Sequence, residues 1–253
     1  MYNIIADYHT HTIYSHGKGT ILDNVNAARE KGLRRIAITD HGFSHIGFGL
    51  DKSSLKKMKD EIKQLNEMFE DIEVLLGIES NLIGMDGEID IPEGLLDSFD
   101  IILMGFHKAV WPHSLKDGWD LFARNALAAM RTGANERLRH ANTMAMIRAI
   151  ERYPIDIITH PGAKIDIDTK ELARAAVKRN VALEINASHG FMTADYARVA
   201  KEEGALIVIS SDAHTPDRVG VMDRGLEIAK AAGLPPEKII NTKEYDELKR
   251  NWK

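Results

Sequence analysis

Residues Ile4–His11 read IIADYHTH, an apolar, β-branched start that ends in two histidines one residue apart. An extended segment alternates its side chains between two faces, so His9 and His11 point the same way, with Asp7 behind them. Two imidazoles on one face suit a metal ion. They equally suit two surface or hydrogen-bonded histidines, because imidazole serves many roles. The rest of the chain separates the two readings by whether it repeats the arrangement.

Short β-branched runs recur at Ile4–His9, Arg35–Thr39, Val74–Ile78, Ile101–Gly105, Ile155–Thr159, Val181–Ile185 and Leu206–Ser210. Between the first two, ILDNVNAAREKG spaces Leu22, Val25, Ala28 and Arg29 as a helix, with Gly32 as its C-cap. Helical patterns follow at Ser53–Phe69, Asp120–Arg152, Thr169–Lys178, Thr193–Glu203, Met222–Ala232 and Lys243–Lys249. Strands alternating with helices predict βα units around a buried parallel sheet. Seven such strands point to a closed or nearly closed barrel more than to an open doubly wound sheet. No G-x-G-x-x-G follows the first strand, and no P-loop occurs.

The totals agree. A chain of 253 residues suits one α/β barrel, a fold that commonly takes about 200–250 residues. The composition, 44% hydrophobic and 28% charged, is that of a globular chain with one good core. The formal charge of −5 argues against broad attraction to nucleic acid and favours small or metal-bridged substrates. Cysteine is absent, so any metal must be held by His, Asp and Glu. The chain opens directly on a strand and has no apolar run near the ~18 residues of a membrane span, from which a cytoplasmic location is expected.

Chemistry-bearing side chains cluster where the strands end. His9, His11 and His16 follow the first strand, His41 (AITDHG) the second and Glu79 (GIES) the third. His107 (MGFHK) follows the fourth, His160 (IITHPG) the fifth, and Asp212 and His214 (SSDAH) the seventh. Each has a plain alternative: a capped strand, a buried ion pair, a satisfied core histidine or a turn cap. Parallel barrels carry their chemistry at strand C-termini, and nine such residues at six of them favour a metal site.

The motifs HTH with His16, ITDHG, GIE, GFH, THPG, LEIN and SDAH, in that order, resemble those of the polymerase and histidinol phosphatase (PHP) superfamily, most closely its small stand-alone phosphatases. DGEID at Asp86–Asp90 resembles the loop after that family's third strand. The resemblance runs nearly end to end. It implies a distorted seven-stranded (β/α) barrel, a single domain over residues 1–253, with three divalent transition metals. His9, His11, Glu79 and Asp212 would hold one ion, Glu79, His107 and His160 a second, and His16, His41 and His214 a third. Zn, Mn and Fe all tolerate such donors. Glu79, Asp212 and His214 would serve catalysis directly, a metal-bound hydroxide attacking the ester phosphorus. Asp7 is a candidate to fix an imidazole tautomer, or simply to pair with a Lys or Arg.

Lys108, Lys164 and Arg218 lie near the functional rim and are candidate substrate contacts. His45, His113 and His189 fall in loops that could overhang it, whereas His140 lies in a helical run. The connection Trp111–Arg152 is far longer than a βα link needs. Its part at about 111–139 is expected as a helical insertion that closes over the rim, packs on a second subunit, or has no functional role. The preferred function is hydrolysis of a phosphate monoester on a small soluble metabolite. A phosphodiesterase or exonuclease on the same centre, and a non-catalytic metal-binding regulatory barrel, are the alternatives.

Overall fold

All seven expected strand segments join one parallel sheet in chain order, β1 to β7. A computed structural model describes residues 2–130 and 135–248. The strands are β1 (Ala6–Asp7), β2 (Arg35–Ile38), β3 (Glu73–Asn81), β4 (Ile101–Gly105), β5 (Ile157–Ile158), β6 (Ala182–Asn186) and β7 (Leu206–Ser210). Helices α1 (Ile21–Glu30), α2 (Lys52–Met68), α5 (Glu136–Arg152), α6 (Thr169–Arg179), α7 (Ala194–Glu202) and α8 (Asp223–Ala232) surround them. The shorter α3 (Leu115–Asp117), α4 (Arg124–Ala129) and α9 (Lys243–Glu247) complete the set, and Lys249 of the expected last helix lies outside the described residues. Helix α1 begins at a capping box, in which Thr20 and Asp23 satisfy each other's backbone N–H. It ends at Lys31, one residue before the expected cap, and Gly32 follows at φ +72°.

The barrel is nearly closed, and its seam is made by side chains as well as backbone. On the rim, His11 N–H donates to the Ala213 carbonyl at 2.8 Å, linking the chain after β1 to the chain after β7. Deeper in the seam, the Asn241 amide donates to Ala6 O (2.9 Å) and Ile209 O (2.6 Å) and accepts from Ile209 N (3.2 Å). Ile5 N–H also turns to Asn241 O, so β1 is far shorter than the expected Ile4–His9. In β5 the ladder covers two residues rather than five, because the Asp156 carboxylate takes the Ile102 N–H at 2.8 Å.

Alternation along each strand separates two apolar layers. Ala6, Ala37, Ile101, Leu103, Ile157, Ala182 and Val208 fill the barrel interior, while Ile102, Met104, Leu183, Ile185, Ile207 and Ile209 face the helices. Ile240 and Tyr245 join the inner cluster. The same inward register carries polar residues further up: Glu79 on β3, two positions beyond Gly77, and Glu184 and Asn186 on β6 beyond Ala182.

The expected helical run Asp120–Arg152 is divided. A π-helical turn, Gly118–Ala123, leads into α4, and α5 starts afresh where the Asn135 side chain accepts the Leu138 N–H. Residues 131–134 lie outside the described set. Reciprocal amide bonds of 3.0 and 2.9 Å between buried Asn125 and Asn142 tie α4 to α5. Phe122 stacks on Phe106 with ring centroids 5.4 Å apart, which docks the segment beside the rim.

Candidate metal centre

The nine residues at the strand ends converge on one rim. Within it, three groups each present one donor atom per residue, all within 4.8 Å of one another: His9, His11 and Asp212; His41, Glu79 and His107; and His11, His16, His41 and His214. His160 Nε2 stands 2.9 Å from Glu79 Oε1. Glu79 lies at the middle, with His41 Nδ1 at 3.0 Å, and His9 and His107 Nε2 both at 3.4 Å. His41 thus borders two of the groups. Seven of the nine are buried, and His16 and His214 are partly exposed at the mouth. The opening is a cavity of about 340 Å³, edged by Phe48 and Phe191.

Neighbouring side chains fix which imidazole nitrogen faces inward. His9 Nδ1 lies 2.7 Å from Glu184 Oε1, and His107 Nδ1 lies 2.7 Å from Asn81 Oδ1. An N–H donated to each oxygen leaves the Nε2 lone pair free. His214 Nδ1 is likewise 2.9 Å from the Asp212 carbonyl. Asn81 is held in turn by buried Asp90, whose carboxylate accepts from Asn81 N at 2.7 Å and Ser44 N at 2.9 Å. The Asp40 carboxylate accepts from Thr12 N (2.8 Å) and Thr12 Oγ (2.6 Å), shaping the loop that brings His16 to the rim.

Two of these residues have left-handed backbone. His160 lies at φ +29° and Asp212 at φ +53°, conformations that cost non-glycine residues energy and that concentrate at functional sites. Gly105 gives His160 room, since a Cβ there would sit 2.9 Å from its Cε1 and collide with Thr159.

The electrostatics describe a site short of positive charge. Burial opposes ionisation of Glu79, yet His107 and His9 hold its carboxyl well below the usual range. Asp212 is likewise depressed by His9 and His11 despite its burial. Burial also disfavours the His9 imidazolium, but Glu79, Glu184 and Asp212 raise its pKa well above that of free histidine. His11 is driven well below by burial. Burial takes His107 down to about 3 and, with its imidazole neighbours, His16 to about 4.

Carboxylates held ionised this deep in the fold call for positive charge that a cation would supply. The donor geometry fits such ions. His9 Nε2 and His11 Nε2 face each other at 3.1 Å, and Nδ1 of His11, His16, His41 and His160 is buried without a hydrogen-bond partner among the described residues. His41 Nδ1 is 3.0 Å from a Glu79 oxygen yet out of hydrogen-bonding line with it. Buried imidazole nitrogens gathered within a few ångströms of one another and of ionised carboxylates are what metal ligation requires.

Other sequence candidates fall in different places. Lys108 and Lys164 line the cavity, whereas Arg218 is exposed on a short turn and does not. Among the described residues, Asp7 touches neither an imidazole nor a cation. Its buried carboxylate accepts from Ser211 Oγ (2.5 Å) and Gly220 N (2.9 Å). His140 is exposed near Glu171, while His113 does not line the cavity. His45 and His189 do line it: His45 stacks on His41 at 4.4 Å, and His189 Nε2 lies 3.3 Å from Asp212 Oδ2. Glu184 and Asn81 were missed, although Glu184 in VALEIN shares its face with Ala182 and Asn186, and a lone carboxylate at an inward strand position is a readable signal.

The profile of the PHP domain family matches residues 7–188. The chain belongs to this family. A probable phosphatase of Shewanella frigidimarina (strain NCIMB 400) is 34% identical over 253 residues, covering 94% of this chain and 88% of that protein. The probable phosphatase YcdX of Escherichia coli (strain K12) is 32% identical over 247 residues, covering 93% and 89%. Among solved structures, histidinol phosphate phosphatase from Lactococcus lactis subsp. lactis Il1403, complexed with zinc, L-histidinol and phosphate, superposes with a TM-score of 0.62 at 19% identity, covering 91% of this chain and 94% of that one.

Proposed function

We propose that the protein is a metal-dependent phosphomonoesterase acting on a small phosphorylated metabolite. The observation that carries this reading is the convergence of nine His, Glu and Asp side chains on one rim, seven of them lining one small cavity and His9 and His11 clustered with these. The names of the relatives, probable phosphatases of nearly the same length, support it.

Three ions would be shared among His9, His11, Glu79 and Asp212; Glu79, His107 and His160; and His16, His41 and His214. Zn, Mn and Fe all suit these donors. Bound there, they would supply Lewis-acid neutralisation of phosphoryl oxygens and lower the pKa of water enough for it to attack at neutral pH. The protein's part is orientation and exclusion. Glu184 and Asn81 keep His9 and His107 with Nε2 free, and Asn186 steadies Asp212 with a 3.0 Å bond to Oδ2. Lys108 and Lys164 at the mouth meet the incoming dianion, and His45 and His189 offer ring nitrogens beside it. Phe48 and Phe191 narrow the entrance against bulk water.

The test is a metal-reconstituted activity screen against phosphorylated sugars, amino-alcohols, nucleotides and an aryl phosphodiester. Efficient phosphate release from a small monoester is expected. Stepwise degradation of single-stranded nucleic acid, with little release from any small monoester, would instead establish a nuclease.

A further inference from the structure

Lys108, Lys164 and Phe191 line both the histidine cavity and a neighbouring cavity of about 450 Å³, within the size range of small-molecule sites. Leu138, Ile165 and Ile167 give this second cavity an apolar floor, and Arg139 stands on its wall. Among the described residues, its charged side chains are Lys108, Lys164 and Arg139 against the single carboxylate of Asp166, a surplus of two positive charges. None of the three cations has an ion pair or side-chain hydrogen bond among the described residues.

Lys164 is further marked by its backbone, which at φ +62° is left-handed, a conformation that a lysine adopts only at a cost. It lines the histidine cavity and the outer one at once.

We propose that the outer cavity receives the leaving group of the substrate and that this group carries an anion of its own, a carboxylate or a second phosphate, bound by Arg139 with Lys108 and Lys164 between the two charges. The proposal rests on the phosphomonoesterase reading. A neutral leaving group would leave three cations facing one carboxylate in a half-enclosed space, whereas an anionic one reduces the imbalance and gains charge-assisted hydrogen bonds. The apolar floor fits a short carbon skeleton lying between the two anionic ends. Hydrolysis breaks the P–O ester bond, water supplies the oxygen left on phosphorus, and the departing alcohol takes up a proton and leaves with its second anion intact.

The experiment compares, on the metal-loaded protein, four monophosphates of one three-carbon chain ending in hydroxyl, ammonium, carboxylate or a second phosphate. At least one anionic member should exceed the hydroxyl member in kcat/KM by about tenfold or more, chiefly through KM, with the ammonium member poorest. Whichever of carboxylate and phosphate leads identifies the anion. Arg139→Met should bring the anionic-to-hydroxyl ratio to within about twofold, and Arg139→Lys should restore part of it. Turnover of the hydroxyl member equal to both anionic ones, or an unchanged ratio in Arg139→Met, overturns this proposal alone. No turnover of any monoester by the fully loaded protein overturns the phosphomonoesterase reading and this one with it.

Discussion

Glu184 is buried on an inward strand position and touches His9, the His160 backbone N–H and Asn186, so its carboxylate is a structural anion for the whole rim. Glu184→Gln keeps the shape and removes the charge. It should weaken metal retention by roughly 10–100-fold with the fold intact, as found for residues that orient metal-bound histidines; chelator competition alongside circular dichroism checks this. Glu79 contacts five of the histidines, and Glu79→Gln should lose metal and turnover together. Near-normal turnover in that variant would remove Glu79 from the centre. The His9 shift gives a pH dependence with a definite sign. Against its burial, Glu79, Glu184 and Asp212 raise the His9 pKa, so an ion must displace a proton there at a higher pH than at a free imidazole, whereas His16 and His107 are lowered to about 4 and 3. His160 is also raised, by Glu79, against its burial. Metal affinity should therefore rise with pH through neutrality, with roughly one to two protons released from imidazoles per chain. Calorimetry in buffers of different ionisation enthalpy measures this, and an affinity independent of pH between about 6 and 9 would contradict it. The metal-capable residues themselves were legible, because each follows a β-branched run. Their hydrogen-bond partners were less so, since Asn81 and Glu184 acquire meaning only once strand faces are known. The placement of Asp7 depends on Ser211 and Gly220, more than 200 positions away.

At the scale of elements, β-branched composition located all seven strands, but their lengths are set by the barrel. The seam between β1 and β7 is closed partly by Asn241, an asparagine in IINT with no periodic signal. Asn241→Ala would strand the Ile209 N–H and two carbonyls in a buried place. It should cost about 3 kcal/mol, read by chemical denaturation of the metal-free protein. A loss under about 0.5 kcal/mol would show that the backbone closes the seam unaided. The left-handed turns at His160 and Asp212 were equally invisible, because sequence does not report φ. In the Trp111–Arg152 connection, apolar spacing continued through residues where the structure starts a new helix at Asn135. A capping asparagine competes with helix continuation by offering its side chain to the next turn's N–H groups. Trp111 and Trp119 remain exposed on this segment, while Phe122 and Asn125 anchor it beside the rim.

For the whole molecule, a net charge of −5 coexists with a mouth bearing Lys108 and Lys164, so attraction is local and suits a small anion better than a polymer. A monoester dianion offers one more charged oxygen to the centre than a diester, and lacks the second bulky substituent. Catalytic efficiency on the best small monoester should exceed that on an aryl diester by at least ~100-fold, about 2.7 kcal/mol of transition-state discrimination. Near-equal rates would point to a broader phosphoesterase. The most direct test of the account counts metal by elemental analysis of the purified protein before and after saturation with Zn, Mn or Fe. Eight of the nine donors fall in three groups that share His11 and His41, and the ninth, His160, stands beside Glu79; together they predict close to three ions per chain. At most one ion per chain, with no gain on reconstitution, would contradict the assignment of this rim as a trinuclear centre.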